Sequence, residues 1–154
     1  MMSPAPRTNH QIVSAEIEFI LQKFVKENKL GKVFDAPTDV FLDKENCVQP
    51  DLLFIAKERT SIITEKNIQG APDLIIEIVS STSIHRDTVE KKQLYARFGV
   101  KEFWLVYPDE EIIEIYVSKN NTFVLHQSFF KEDILQSALL KGFKINVNEI
   151  FYTS

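Results

Sequence analysis

A mixed α/β (α+β) fold, with one mixed sheet and helices on its flanks, is predicted by three observations. An amphipathic stretch opens the chain, strand-sized apolar runs follow, and the most apolar of them leads straight into a second helical segment. At 154 residues, 44% apolar and 26% charged, the chain has the size and make-up of one globular domain able to bury a core. The expected organisation is a leader over residues 1–9, polar and proline-containing, and a single domain over 10–154.

From His10 to Asn28 the apolar residues Ile12, Val13, Ile17, Ile20, Leu21, Phe24 and Val25 recur at helical spacing. Asn28-Lys29-Leu30-Gly31 then supplies a glycine stop. Strand-like pieces follow at Lys32–Ala36 and Asp39–Leu42, a turn at Asp43–Asn46, and a buried strand within Val48–Ala56. Residues 57–72 read as loop, with local pairing open at Thr60–Thr64. Asp73–Val79 is almost continuously apolar, the pattern of a central strand covered on both faces. Ser80-Ser81-Thr82-Ser83 offers N-caps for a helix over about 84–98 that stops at Gly99. Lys101–Tyr107 is a strand, and Ile112–Val117 with Thr122–Gln127 forms a hairpin across Ser118–Asn121. A short helix near Glu132–Ala138 and a strand near Phe143–Val147 close the reading. The aromatic-rich end (Phe129, Phe130, Phe143, Phe151, Tyr152) either covers the core or forms a dimer face.

Several function classes are excluded. The chain carries no phosphate-binding glycine loop, no dinucleotide fingerprint and no serine nucleophile elbow. The single cysteine, Cys47, rules out an internal disulfide and a cysteine zinc site, and points to a reducing, cytoplasmic setting. His10, His85 and His126 lie far apart and read as surface residues. The N-terminus lacks a signal-peptide core, and no apolar run approaches the roughly 18 residues of a membrane span. The net charge of −4 argues against a dedicated nucleic-acid coat. Within 84–101, however, Arg86, Lys91, Lys92, Arg97 and Lys101 outnumber Asp87 and Glu90. That local excess marks either a phosphate-facing side or a solvated helix face.

Two carboxylates need explanation. Glu77 sits inside Leu74-Ile75-Ile76-Glu77-Ile78-Val79, and glutamate is rarely buried unless paired or metal-bound. Asp51 follows Pro50 at the start of another strand. If the two strands are neighbours, at a spacing of about 4.8 Å, both carboxylates can share one Mg²⁺, a hard ion suited to oxygen ligands. Asp87, Lys91 and Tyr95 lie along one side of the following helix. Lys91 is either the partner of Asp87 in a surface pair or a cation directed at Glu77, near the charge that develops at phosphorus. Tyr95 and Trp104 read first as packing residues, with Tyr95 and Asp87 kept as secondary site candidates. Asp73 lies about 13 Å along the strand from Glu77, too far to share its metal, and reads as a strand-edge residue that could line the cleft.

The combined pattern resembles a known family. It comprises Pro50-Asp51, then Ala71-Pro72-Asp73-Leu74-Ile75-Ile76-Glu77-Ile78-Val79-Ser80-Ser81, then Asp87-x-x-x-Lys91-x-x-x-Tyr95, then Gly99-Val100-Lys101-Glu102-Phe103-Trp104-Leu105-Val106. This is similar to the bacterial Uma-two endonuclease family, within the PD-(D/E)xK restriction-endonuclease-like superfamily, over nearly the whole chain. The resemblance implies a restriction-endonuclease-like core with flanking helices and an added C-terminal hairpin. It also implies a nuclease dependent on Mg²⁺ or Mn²⁺. Asp51 matches the metal-binding aspartate, and Glu77 the acidic residue of the (D/E)xK strand. The lysine two residues on is replaced by Val79, and Lys91 on the next helix takes its role. Where the family carries an aspartate before the proline of the following strand, this chain has Tyr107. Glu16 or Glu18 is open as the first-helix glutamate seen in parts of the superfamily. The expected activity is hydrolysis of phosphodiester bonds in DNA, with Arg86, Lys92 and Arg97 on the nucleic-acid backbone and a homodimer as the working unit. The alternative is an inactive nuclease fold that binds nucleic acid or a protein partner.

Overall fold

The computed structural model describes residues 8–80 and 85–151. Residues 1–7, the Ser81–Ser83 caps, Ile84 and Tyr152 therefore lie outside the described residues. The first helix, α1, runs Thr8–Glu27, so Thr8 and Asn9 belong to it and not to the leader. The strands β1 (Gly31–Asp35), β2 (Val40–Phe41), β3 (Cys47–Val48) and β4 (Leu52–Ala56) follow. A 3-10 helix over Lys57–Ile62 and β5 (Ile68–Gln69) occupy part of the expected loop. Then come β6 (Leu74–Ile78), α2 (His85–Arg97), β7 (Glu102–Tyr107), β8 (Ile112–Lys119) and β9 (Thr122–Phe129). The chain ends with β10 (Ile134–Gln136), β11 (Lys144–Asn146) and α3 (Val147–Ile150).

Six strands form the main sheet in the order β1-β4-β6-β7-β8-β9, with small sheets β3-β2-β5 and β10-β11 beside it. Only β6 and β7 pair in parallel within the main sheet, because α2 makes the crossover between them. All five residues of β6 are buried, as a strand covered on both faces requires. Alternation along β6 divides the core. Leu74, Ile76 and Ile78 pack with Val13, Ile17, Leu21 and Val25 of α1, while Ile75 packs on the other face with Tyr95 and Val100. Glu77 shares that second face with Ile75.

Local chemistry fixes the boundaries. At the end of α2 the Val100 N–H donates to Tyr95 O at 3.1 Å and Gly99 N–H to Ala96 O at 3.2 Å, with Gly99 at φ +89°. This is a Schellman ending, and Tyr95 and Val100 are both buried beneath it. The same bond pattern ends α1 through Leu30 N–H to Val25 O at 3.0 Å, but the left-handed residue is Lys29. The expected glycine stop, Gly31, instead opens β1, where a Cβ would collide with the Ile55 carbonyl oxygen. The hairpin turn is Asn120-Asn121, both at positive φ, as a two-residue turn of the I′ kind requires.

The helix expected near Glu132–Ala138 is not formed. Ile134–Gln136 is a strand, with only Leu135 buried, paired antiparallel to β11. The Asp133 carboxylate accepts from the Phe130 N–H at 2.7 Å and turns the chain there. Of the aromatic end, Phe129, Phe143 and Phe151 are buried in the core, and Phe130 is exposed. Covering the core is thus the role these buried rings take.

Glu102, at the start of β7, is completely buried and holds the C-terminal segment. Its carboxylate accepts from Trp104 Nε1 at 2.8 Å, Ser137 Oγ at 2.6 Å, Ala138 N at 3.0 Å and Leu139 N at 2.9 Å. Glu102→Ala leaves these donors without an acceptor. We expect it to lower unfolding free energy by about 3 kcal/mol in urea titrations, at the upper end for buried groups left unsatisfied. A loss within about 0.5 kcal/mol, the range of ordinary surface changes, contradicts that role.

Candidate active site

The antiparallel register of β4 on β6 pairs Leu52 with Ile76, which sets Asp51 opposite Glu77. The backbone N–H of Asp51 donates to Glu77 Oε1 at 3.3 Å, and the N–H of Ile78 donates to Asp51 Oδ2 at 2.7 Å. Each carboxylate is thereby held by the other strand's backbone. From α2, the Tyr95 hydroxyl donates to Glu77 Oε2 at 2.7 Å, and Lys91 Nζ lies 3.6 Å from the same oxygen. Lys91 also lies 3.8 Å from Asp87 Oδ2, so both of its expected pairings are present. From the start of α1, His10 Nε2 approaches Asp51 Oδ1 to 3.6 Å. His10, Asp51, Glu77, Asp87 and Lys91, with Gln49, Val79 and Thr88, line a cavity of about 210 Å³; Tyr95 lies behind Glu77 and not in its lining.

The electrostatics are under-compensated. Burial pushes the Glu77 carboxyl up to about 7; Lys91 opposes the rise, the Asp51 charge adds to it, and the bonds from Tyr95 and the Asp51 N–H oppose it. The Tyr95 hydroxyl is pushed well above its ordinary range by burial and by the Glu77 charge, so it remains a donor.

The remaining sequence candidates are distributed as follows. Asp73 does not line this cavity. It is buried, with Lys101 Nζ at 2.9 Å, Arg59 Nη1 at 3.2 Å and the Ala56 N–H at 2.8 Å. Burial opposes its charge, but that N–H and the two cations hold its carboxyl below the usual range. Glu16 is exposed and Glu18 interacts with Asp35, and neither lines the cavity. Arg86 pairs with Glu90 at 3.0 Å, Lys92 lies 4.2 Å from the centre of the Tyr116 ring, and Arg97 lies 5.1 Å from that of Phe98. His10 was missed as a neighbour of Asp51. Its only sequence signal is a place near the start of a helix, and nothing there reveals which strand end the helix crosses.

Comparison with known proteins agrees with this architecture. The sequence matches the protein family Uma2, described as "Putative restriction endonuclease", over residues 1–148. This chain belongs to the Uma2 family. No curated protein matches it significantly. A crystal structure from Anabaena variabilis ATCC 29413, described as "a putative nuclease belonging to DUF820", superposes with a TM-score of 0.79. It is 17% identical, and the match covers 98% of this chain and 84% of that one, which shows the fold. The type IIG restriction endonuclease BpuSI aligns at a TM-score of 0.49 and 14% identity over 17% of its length, a similarity too low to build on.

In this Uma2 chain the donor set suits Mg²⁺ better than a closed protein cage. Among the described residues no group of three His, Cys, Asp or Glu side chains is arranged for a metal. Two carboxylates remain, mutually repelling through the buried Glu77, and Mg²⁺ characteristically takes one or two carboxylates and keeps several waters. Val79, at the position of the usual strand lysine, lines the same cavity into which α2 brings Lys91.

The raised Glu77 carboxyl makes stability pH-dependent. The folded chain holds the proton up to about pH 7, whereas the unfolded chain releases it near 4.5. Charging Glu77 therefore costs stability as pH rises between these values. We expect Glu77→Gln, in metal-free buffer, to gain on the wild type by about 3 kcal/mol between pH 4.5 and 7.5. Urea melts at both pH values check this, and a difference that does not change with pH refutes the raised carboxyl.

Proposed function

We propose that this protein is a metal-dependent endonuclease hydrolysing phosphodiester bonds in DNA. The observation that carries the reading is the meeting of Asp51, Glu77 and Lys91 at one cavity, from two strands and a helix. Asp51 and Glu77 are the groups that would hold Mg²⁺ or Mn²⁺. A bound divalent ion supplies a Lewis acid for the phosphate and a water of lowered pKa. The chain's own residues do the rest. The Ile78 N–H holds Asp51 Oδ2 and leaves Oδ1 on the side of His10. Tyr95 fixes Glu77 Oε2 and keeps its own proton. Lys91 places an ammonium beside Glu77, where it can offset the charge growing on the phosphoryl oxygens.

We place the enzyme in the cytoplasm, in keeping with its lone exposed Cys47. No helix among the described residues is long and apolar enough to cross a membrane. Arg86, Lys92 and Arg97 lie on the helix that carries Lys91; Arg86 and Arg97 are proposed to meet the DNA backbone, and Lys92 to face the nucleotide beside it. A homodimer is proposed to present two such sites, one for each strand. Its support is the exposed apolar side chains Ile12, Phe19, Phe130 and Ile134.

Plasmid nicking in Mg²⁺ or Mn²⁺ tests the activity. Asp51→Ala, Glu77→Ala and Lys91→Ala should each cut about 10²-fold more slowly than wild type, the scale of losing one electrostatic group. The first two should also lose Mn²⁺ binding in calorimetry, and Lys91→Ala should keep it. Equal rates in all four proteins refute the assignment. Light scattering in solution should return twice the chain mass, and a monomer at all concentrations refutes the dimer.

A further inference from the structure

A second cavity, of about 350 Å³, adjoins the first and shares Val79, Thr88 and Leu105 with it. Its polar wall joins β7 and β8 to the same helix α2. Glu114 of β8 accepts from the Tyr107 hydroxyl at 3.0 Å and the Tyr116 hydroxyl at 3.1 Å, both on Oε1. Oε2 is thereby left to an incoming donor. Lys92, one residue after Lys91 on α2, lines the same cavity with its Nζ over the Tyr116 ring. Burial, then the Glu114 charge, pushes the Tyr116 hydroxyl up to about 12 and raises Tyr107 as well, so both rings remain fixed donors to Glu114. The result is the Glu114 carboxylate and an ammonium beside two tyrosine rings, with Glu110 as a second acid on the wall, next to the site proposed for the scissile phosphate.

The geometry points to a base-reading subsite: Glu114 and Lys92 bind the edge of one unpaired nucleobase beside the bond to be cut, with guanine the fullest match. Guanine presents ring N–H and exocyclic N–H₂ donors next to a carbonyl acceptor. The donors suit the Glu114 carboxylate, and the carbonyl suits Lys92. A paired base has these groups engaged by its complement, so the subsite takes a nucleotide that is single-stranded or turned out of the helix. The aromatic walls suit the flat base, since stacking and edge contacts with rings favour bases without regard to sequence. The carboxylate and ammonium then add the preference.

This inference rests on the nuclease reading only for the identity of the neighbouring phosphate. Anisotropy of labelled oligothymidylates carrying one central deoxyguanosine or deoxyinosine, in Ca²⁺, measures it directly; deoxyinosine lacks only the exocyclic amine. Wild type should bind the guanine strand about fivefold or more tightly than the inosine strand, the lower end of discrimination for a good base contact. Glu114→Ala should bring that ratio near one. Lys92→Met should weaken both strands alike, since both keep the carbonyl. If Glu114→Ala has no melting transition, Glu114→Gln replaces it, keeping an acceptor for both tyrosines without the charge. A wild-type ratio of one, or a ratio unchanged by the Glu114 variant, overturns the subsite. Cleavage of the same strands in Mg²⁺ by wild type and Glu77→Ala separates the two readings. Cleavage indifferent to Glu77→Ala with the ratio intact removes the nuclease alone. Cleavage that needs Glu77 with a ratio of one removes the subsite alone.

Discussion

The arrangement depends on one carboxylate placed where the sheet is most apolar. Glu77 lies on a strand with every residue buried, between antiparallel β4 and parallel β7. An ionised group there must be met largely from its surroundings, because little of it reaches solvent. Three groups converge for that reason: the start of β4 brings the Asp51 N–H, and α2 brings Tyr95 and Lys91. The crossover helix is therefore more than a cover for the sheet. Its register decides which side chains fall on the carboxylate, and spacing of four residues sets both Lys91 and Tyr95 on the same face.

Three acids are buried among the described residues, Asp73, Glu77 and Glu102, and their surroundings differ in kind. Asp73 is met by two cations and an amide. Glu102 is met by four neutral donors that close its hydrogen bonding. Glu77 is met by a tyrosine, a long amide contact and a lysine at 3.6 Å, with a second carboxylate close by. Opposite charge compensates the first, hydrogen bonds satisfy the second, and both serve the fold. The third leaves an under-compensated acid at the edge of a cavity, the kind of setting in which strongly shifted carboxyls cluster at functional sites.

Much of this was legible in the sequence because burial writes itself into composition. The unbroken apolar run around Glu77 gives the central strand, and the helical spacing of Val13, Ile17, Leu21 and Val25 gives the face of α1. The hairpin was readable from Asn120-Asn121, whose side chains tolerate positive φ. What failed was governed by tertiary partners. The segment around Leu135 has the residues of a helix, but pairing with β11 makes it a strand. Lys29 has no propensity for the left-handed region, yet packing of Leu30 on the core holds it there. That Asp51, Glu77 and Lys91 meet was legible from an acid inside an apolar run, from Pro50-Asp51 at a strand start and, for Lys91, from the family pattern. His10, Glu114 and the neutralisation of Asp73 depend on which elements cross, and no local pattern contains that.

The bonds of Glu102 reach 35 to 37 residues ahead, from the middle of the sheet to the segment that closes the chain. During synthesis β7 is complete long before Ser137, Ala138 and Leu139 leave the ribosome. Until they arrive, the central strand holds a carboxylate short of most of its donors. Asp51, Glu77 and Lys91 have all been made by then, but the sheet that orients them is not yet secured. The sheet that brings Asp51 and Glu77 together is thus tied down only once a segment 35 to 37 residues further along the chain has folded onto it.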